Sequence, residues 1–459
     1  MLQLIERSGQ ALLEDTGIDV EARLELLTAL GELQRINGLN AQAEPLQVKA
    51  IEIAREHYGP ASERYVYALV ERGTNLPQIG RRDESNAVLD EAIAIMESAG
   101  LRDTESYPFA LWMRGLNAYR MERLDEALGL FERAETVCRE LRPTDPTHGL
   151  ALQWQANVHQ LCDRSDAAEV ALHRAIAVAG GSRRAENSEG LARLYLGDAL
   201  SRKGDFVAAL AEYDRASALL AEVDAGGRDP DRAVLLANRA RAKAELGLSE
   251  AARADVDAAL EIARHHPAAE PGRGLDDRAR IALLMGYLAE GNAAAAQRLA
   301  REQAARWPQD ATGGTFANIQ LLLAEAELLA GDASAARPAV ERALAIHDAA
   351  GPDTLLARHA RLVLAEVLER LGDAAAQQQF ERVLQPALVD ALHPPAAGRN
   401  LQRARALAGL ARLAAAIDSQ VSVGYARQAL ELIREPRTLR ERRLMVQLRS
   451  LAPAFSASS

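Results

Sequence analysis

Lysine is nearly missing from this 459-residue chain: three stand at Lys49, Lys203 and Lys243, and arginine carries almost all the positive charge. With abundant alanine, that usage fits a GC-rich bacterial genome. Aromatic residues make up 4%, so the core must be packed with alanine and leucine. No apolar run reaches the roughly 18 residues of a membrane span, and no basic-then-apolar start is seen, so neither membrane insertion nor a signal peptide is expected. The two cysteines, Cys138 and Cys162, form no disulfide framework and read as small unpaired residues. His148, His159 and His173 lie near them, but the spacings match no common zinc pattern, so no metal is expected.

Catalytic motifs are missing too. There is no GxxxxGK phosphate loop, and Gly272-Arg273-Gly274 is a lone GxG with no strand before it. HExxH, GxSxG, HRD and DFG do not occur. We therefore expect no enzyme activity and no cofactor. The acidic residues, such as Asp90-Glu91 and Asp125-Glu126, fall on helix faces opposite the small residues, where solvation explains them. The formal charge of −11 argues against nucleic acid as a partner.

What is present is a repeat. In 38-GLNAQAEPLQVKAIEIAREHYGPAS-62, Ala43, Leu46, Ala50 and Ile53 fall on one helix face. From Ala50, equivalent small residues follow at Ala92, Ala134, Ala175, Ala216, Ala259, Ala300 and Ala343, in steps of 42, 42, 41, 41, 43, 41 and 43. Seven residues before most of them stand Ala43, Ser85, Ala127, Ala168, Ala209, Ala252 and Ala336. Twelve residues earlier again stand Gly31, Gly73, Gly115, Ala156, Gly197, Ala240 and Ala324. The turn between the two helices often carries Gly or Asp, as at Gly38, Gly80, Asp163, Gly204, Gly247 and Gly331. Four residues after the second small position comes a large apolar one, such as Phe131, Leu172, Tyr213, Val256 or Val340. The facing positions are emptied of bulk so that two helix backbones can approach.

Three small positions with this spacing resemble the tetratricopeptide repeat. The period of 41–43, against about 34 in the plain repeat, together with the AEPL and Gly59-Pro60 signals, resembles the kinesin-light-chain subtype. The resemblance covers nearly the whole chain and weakens at 276–306 and after 360, where the markers drift to Arg298, Leu384 and Ser422. It implies an all-α fold, a right-handed superhelical solenoid of about ten hairpins. A lone helix leading into a GLNAQAEPL-like unit is also similar to the C-terminal repeat region of bacterial serine/threonine kinases, where the array would serve for sensing or substrate docking. The alternative is the repeat region of a transcriptional regulator.

We expect four segments. Residues 1–15 form a lone helix, a cap or half repeat; 16–264 form the regular array; 265–435 form a less regular one. Residues 436–459 form an Arg-rich capping helix and tail with a solvated basic face. Linkers rich in Gly and Pro lie at 224–231, 265–275, 307–315 and 393–399, and a bend is expected at 265–275. The fold implies a protein or peptide partner, in a groove formed by the first helices. Positions near the small residue of each first helix give Tyr67, Phe109, Trp112, Arg120, Gln153, Trp154, Asn157, Tyr195, Asn238 and Arg241 as groove candidates. Trp and Arg are favoured binding anchors. The Lys and Asn clamp of chaperone-binding repeats is replaced by Val70, Thr74, Trp112, Leu116, Gln153 and Asn157, which disfavours a chaperone adaptor.

Overall fold

A computed structural model describes residues 12–13 and 17–452, except 163, 180–184, 224–225, 267–273, 309, 352–353, 386–396 and 416. Most of the expected lone helix at 1–15 and the tail from 453 lie outside the described residues. The fold is all-α, with no strand among the described residues. It divides into two compact units, residues 1–161 with 166–188, and 162–165 with 189–459. The expected bend at 265–275 falls within the second unit, and its residues 267–273 are not described.

The first unit holds α1 (Val20–Ile36), α2 (Asn40–Tyr58), α3 (Glu63–Asn75), α4 (Arg82–Ala99), α5 (Ser106–Arg120), α6 (Leu124–Leu141), α7 (Pro146–Leu161) and α8 (Ser165–Ala179). The second unit holds most of α9 (Ala185–Lys203), then α10 (Phe206–Val223), α11 (Pro230–Leu246), α12 (Ser249–Ala263), α13 (Leu275–Glu290), α14 (Ala293–Ala305) and α15 (Gly314–Leu329). It continues through α16 (Ala333–Ala350), α17 (Leu355–Arg370), α18 (Ala375–Leu384), α19 (Ala397–Ala415), α20 (Ser419–Leu432) and α21 (Leu439–Leu451). Consecutive helices pack as hairpins, as in a tetratricopeptide-like solenoid.

The small positions explain that packing. Ala43, Ala50, Ser85, Ala92, Ala127, Ala134, Ala168 and Ala175 are all buried in the first unit, as are Ala209, Ala216, Ala252, Ala259, Ala336 and Ala343 in the second. Gly73 lies under Leu89, Gly115 under Phe131 and Gly197 under Tyr213, each pair 16 positions apart and so close that even a methyl group would clash. Interiors are packed to near-crystalline density, so a bulky residue on one helix dictates glycine on its neighbour. Ser85 Oγ also donates to the Gly73 carbonyl at 2.6 Å. Ser422 Oγ repeats this to the Ala411 carbonyl at 2.8 Å, with Ala429 buried seven residues on. Ser422 thus holds the place of Ser85, and the apparent drift of the marker there is a register difference.

Gly38, Gly80, Gly204, Gly247 and Gly331 all take φ between 77° and 90°, the left-handed conformation that ends a helix cheaply only for glycine. At the same turn after α5 stands Glu122, with φ 61°.

Candidate protein-interaction surfaces

In the first unit, α5 and α7 bring the scarce aromatics together. Phe109 and Trp112 are one helical turn apart, so their rings meet at 5.5 Å and 32°. Tyr119 sits edge-on to Trp154 at 4.9 Å and 75°, and Phe131 stacks with Trp154 at 6.1 Å and 29°. Phe131 is fully buried, whereas Phe109, Trp112 and Trp154 are half-buried. Trp112 therefore packs one side on the core. Its indole nitrogen is buried without a hydrogen-bond partner, an arrangement that costs about 1–3 kcal/mol. Arg120 is exposed and Asn157 half-buried. Tyr67 is 41% exposed; partial burial pushes its phenol pKa up, Glu71 and Glu32 add to this, and Arg35 opposes it.

Gln153 behaves differently. It is 3% exposed and its Nε2 donates to the Ser188 carbonyl at 3.1 Å, so it ties helices together inside the first unit.

In the second unit, Tyr195 is half-buried on α9. Asn238 Nδ2 donates to Asp198 Oδ1 at 2.8 Å, the same oxygen that accepts the Tyr213 hydroxyl at 2.6 Å. Burial raises the Asp198 pKa, against the lowering effect of Tyr213 and Arg241. Arg241 donates to Ser201 Oγ at 2.8 Å. Asn238 and Arg241 are thus engaged between α9 and α11.

The second unit also contains a charged site on its first helices, and α21 lies across it. Thr438 and Glu441 start α21 with a capping box. From there Arg440 reaches Glu245 on α11 at 3.0 Å and Glu325 on α15 at 3.7 Å. Arg443 Nη2 donates to the carbonyls of Leu288, at 2.9 Å, and of Ala289. These belong to the last turn of α13, where carbonyls lack helical partners and the dipole favours a cation. Part of the basic face that we expected to be solvated is therefore turned inward. So are several acids that solvation was to explain: Glu245 and Glu325 are 4% and 8% exposed.

Burial alone would raise the Glu325 pKa, but His359 at 3.1 Å, Arg440 and Arg405 hold its carboxyl far below the usual range. Glu245 goes the other way: burial lifts it despite Arg440 and Arg241. Arg405 grips Glu366 with two hydrogen bonds of 3.0 and 2.7 Å, and Arg412 grips Glu369 with two of 2.6 and 2.7 Å. Between these pairs and α21 lies a cavity of about 510 Å³, walled by both leucines and charges, among them Leu288, Leu329, Arg412, Leu444 and Leu448. The sequence signal for this site was the clustered arginines of 437-RTLRERR-443; their acidic counterparts are scattered over some 120 positions and carry no pattern of their own.

No family model and no curated protein matches the chain. Solved structures do. The chain is similar to tetratricopeptide-repeat proteins. BtubC from P. vanneervenii is 19% identical over 49% of this chain and 90% of its own, with a TM-score of 0.42. Kinesin-light-chain TPR-like repeats from Podosopora anserina are 17% identical over 45% of this chain and 99% of theirs, with a TM-score of 0.39. The apo form of RapI is 13% identical over 90% of this chain and 98% of its own, with a TM-score of 0.49. At these identities the likeness concerns the fold alone. No helix among the described residues is long and apolar enough to cross a membrane.

Proposed function

We propose that this chain is a non-catalytic scaffold that binds a peptide or partner protein along its first helices, in cytoplasmic bacterial signalling. The observation that carries this reading is the aromatic group on α5 and α7. In a chain with three tryptophans, Trp112 and Trp154 stand 42 positions apart, half-buried, and the Trp112 N–H has no partner. Rigid amphipathic rings lose little entropy on binding and are common anchors. Arg120 and Asn157 would orient a polar or acidic peptide beside them, with Tyr67 and Phe109 extending the surface. In the second unit Tyr195 stays a candidate on α9, where Asn238 and Arg241 join α9 to α11; in the first unit Gln153 braces α7, which carries Trp154. If the array is joined to a kinase, as its likeness to kinase C-terminal repeats would imply, the same surface would dock substrates.

The test is a pull-down with the full chain, identification of the bound protein, and repetition with Trp112→Ala and Asn157→Ala. Because Trp112 is half-buried, its truncation should cost less than the ~3–5 kcal/mol of a fully buried tryptophan, with partner capture lost. Full capture by both variants would place the site elsewhere.

A further inference from the structure

The second unit holds a cavity walled by leucines and charged side chains, with α21 along one side. Arg440, Arg443, Leu444, Gln447, Leu448 and Leu451 recur at helical spacing, and all line the cavity of about 510 Å³. The polar ends of this stripe are matched: Arg440 meets Glu245 and Glu325, and Arg443 meets the Leu288 and Ala289 carbonyls. Leu444 and Leu448 join the small core of α19 and α20. Yet the face borders a cavity instead of filling it. Among polar atoms at the site, Glu325 Oε2 and Arg440 Nη2 are buried without a hydrogen-bond partner. The surface thus holds a basic amphipathic helix, α21, that leaves part of the adjoining volume open.

We propose that the inner face formed by α11, α13, α15, α17 and α19 is a docking site for an amphipathic helix of a partner protein. That helix carries two cationic residues at i and i+3 and large apolar residues at i+4 and i+8, and α21 is the intramolecular occupant that competes for the site. The recognition mode is helix-in-groove. The charges argue for a basic occupant: Glu245 on α11 and Glu325 on α15 are buried acids that meet Arg440, and the α13 terminus offers carbonyl oxygens to Arg443. Glu366 and Glu369 are already held by Arg405 and Arg412. A partner longer at the Gln447 and Leu451 positions would fill volume that α21 leaves open. Because apparent affinity scales with the fraction of time the site is free of its competing occupant, loosening α21 should tighten binding in trans.

The experiment uses the full chain and a fluorescein-labelled synthetic peptide of residues 436–452, followed by anisotropy. Arg440→Ala/Arg443→Ala weakens the hold on α21 without removing its leucines. This variant should bind the wild-type peptide at least tenfold more tightly than the unaltered chain does. A peptide with alanine at both arginines should not bind it, and adding Glu245→Gln/Glu325→Gln to the variant should abolish the gain. Equal affinity of the variant and the unaltered chain, with circular dichroism showing both folded, overturns the proposal. So does equal binding of the two peptides. Should the variant not fold, hydrogen exchange of the unaltered chain decides. Amides of 439–451 exchanging at least tenfold faster than those of 419–432 support a displaceable helix, and equal protection overturns it.

Discussion

Gly115 lies so close beneath the ring of Phe131 that a Cβ at this position would fall 2.7 Å from Cε1. Gly115→Ala gains up to about 1 kcal/mol of helix propensity, but overpacking costs ~1–3 kcal/mol. A net loss of stability by urea denaturation is expected. Gly129, on α6 with no atom within 4 Å of its would-be Cβ, is the control, and Gly129→Ala should stabilise by about 0.5–1 kcal/mol. If both substitutions stabilise, the close approach of α5 and α6 is not a constraint.

Glu122 occupies a turn where the neighbouring hairpins use glycine, at φ 61°. A side chain in this region costs roughly 1–2 kcal/mol, partly offset by the entropy glycine loses on folding. Glu122→Gly should therefore raise the urea midpoint by the equivalent of about 0.5–1 kcal/mol. A lower midpoint would mean that the Glu122 side chain makes a stabilising contact that outweighs its backbone strain.

His347 is 4% exposed, with Nε2 unpartnered. Burial lowers its pKa, His359 adds to this, and Asp348 opposes it. The folded state thus prefers the neutral ring and binds fewer protons than the unfolded chain, whose histidine titrates near pH 6.5. This contribution is whole above about pH 6.5 and is lost as the pH falls from there through the depressed folded value. Unfolding midpoints at pH 7.5 and 5.5 should differ less in His347→Gln than in the unaltered chain. An identical difference in both removes His347 from the account.

Cys138 is fully buried, and burial first, then Asp145 and Glu135 against Arg142, pushes its thiol up to about 12. The thiolate is the reactive form. Iodoacetamide at pH 8 should therefore leave Cys138 unmodified in the folded chain and alkylate the half-buried Cys162 first, as read by peptide mass mapping. Urea should make both react. Cys138 labelling as fast as Cys162 under native conditions would show that α6 opens readily.

Much of the hairpin architecture was legible because it rests on local spacing. Gly73, Gly115 and Gly197 recur in step with Leu89, Phe131 and Tyr213, since two helices joined by a short turn meet at a fixed separation along the chain. The positive-φ glycines followed from the same turns. The juxtaposition of Phe109 with Trp112 also follows from helical spacing, though not the depth to which each ring is buried. Side-chain direction around a helix was less legible. Gln153, Asn238 and Arg241 share the repeat frame with Trp112, but hydrogen bonds to Ser188, Asp198 and Ser201 commit their polar ends to neighbouring helices. The place of α21 was decided by tertiary structure alone. Its arginines announce a basic face, but which carboxylates meet it depends on how successive helices bring Glu245, Leu288 and Glu325 to one surface. Arg443 and Leu288 stand 155 positions apart, and no periodicity in the sequence links them.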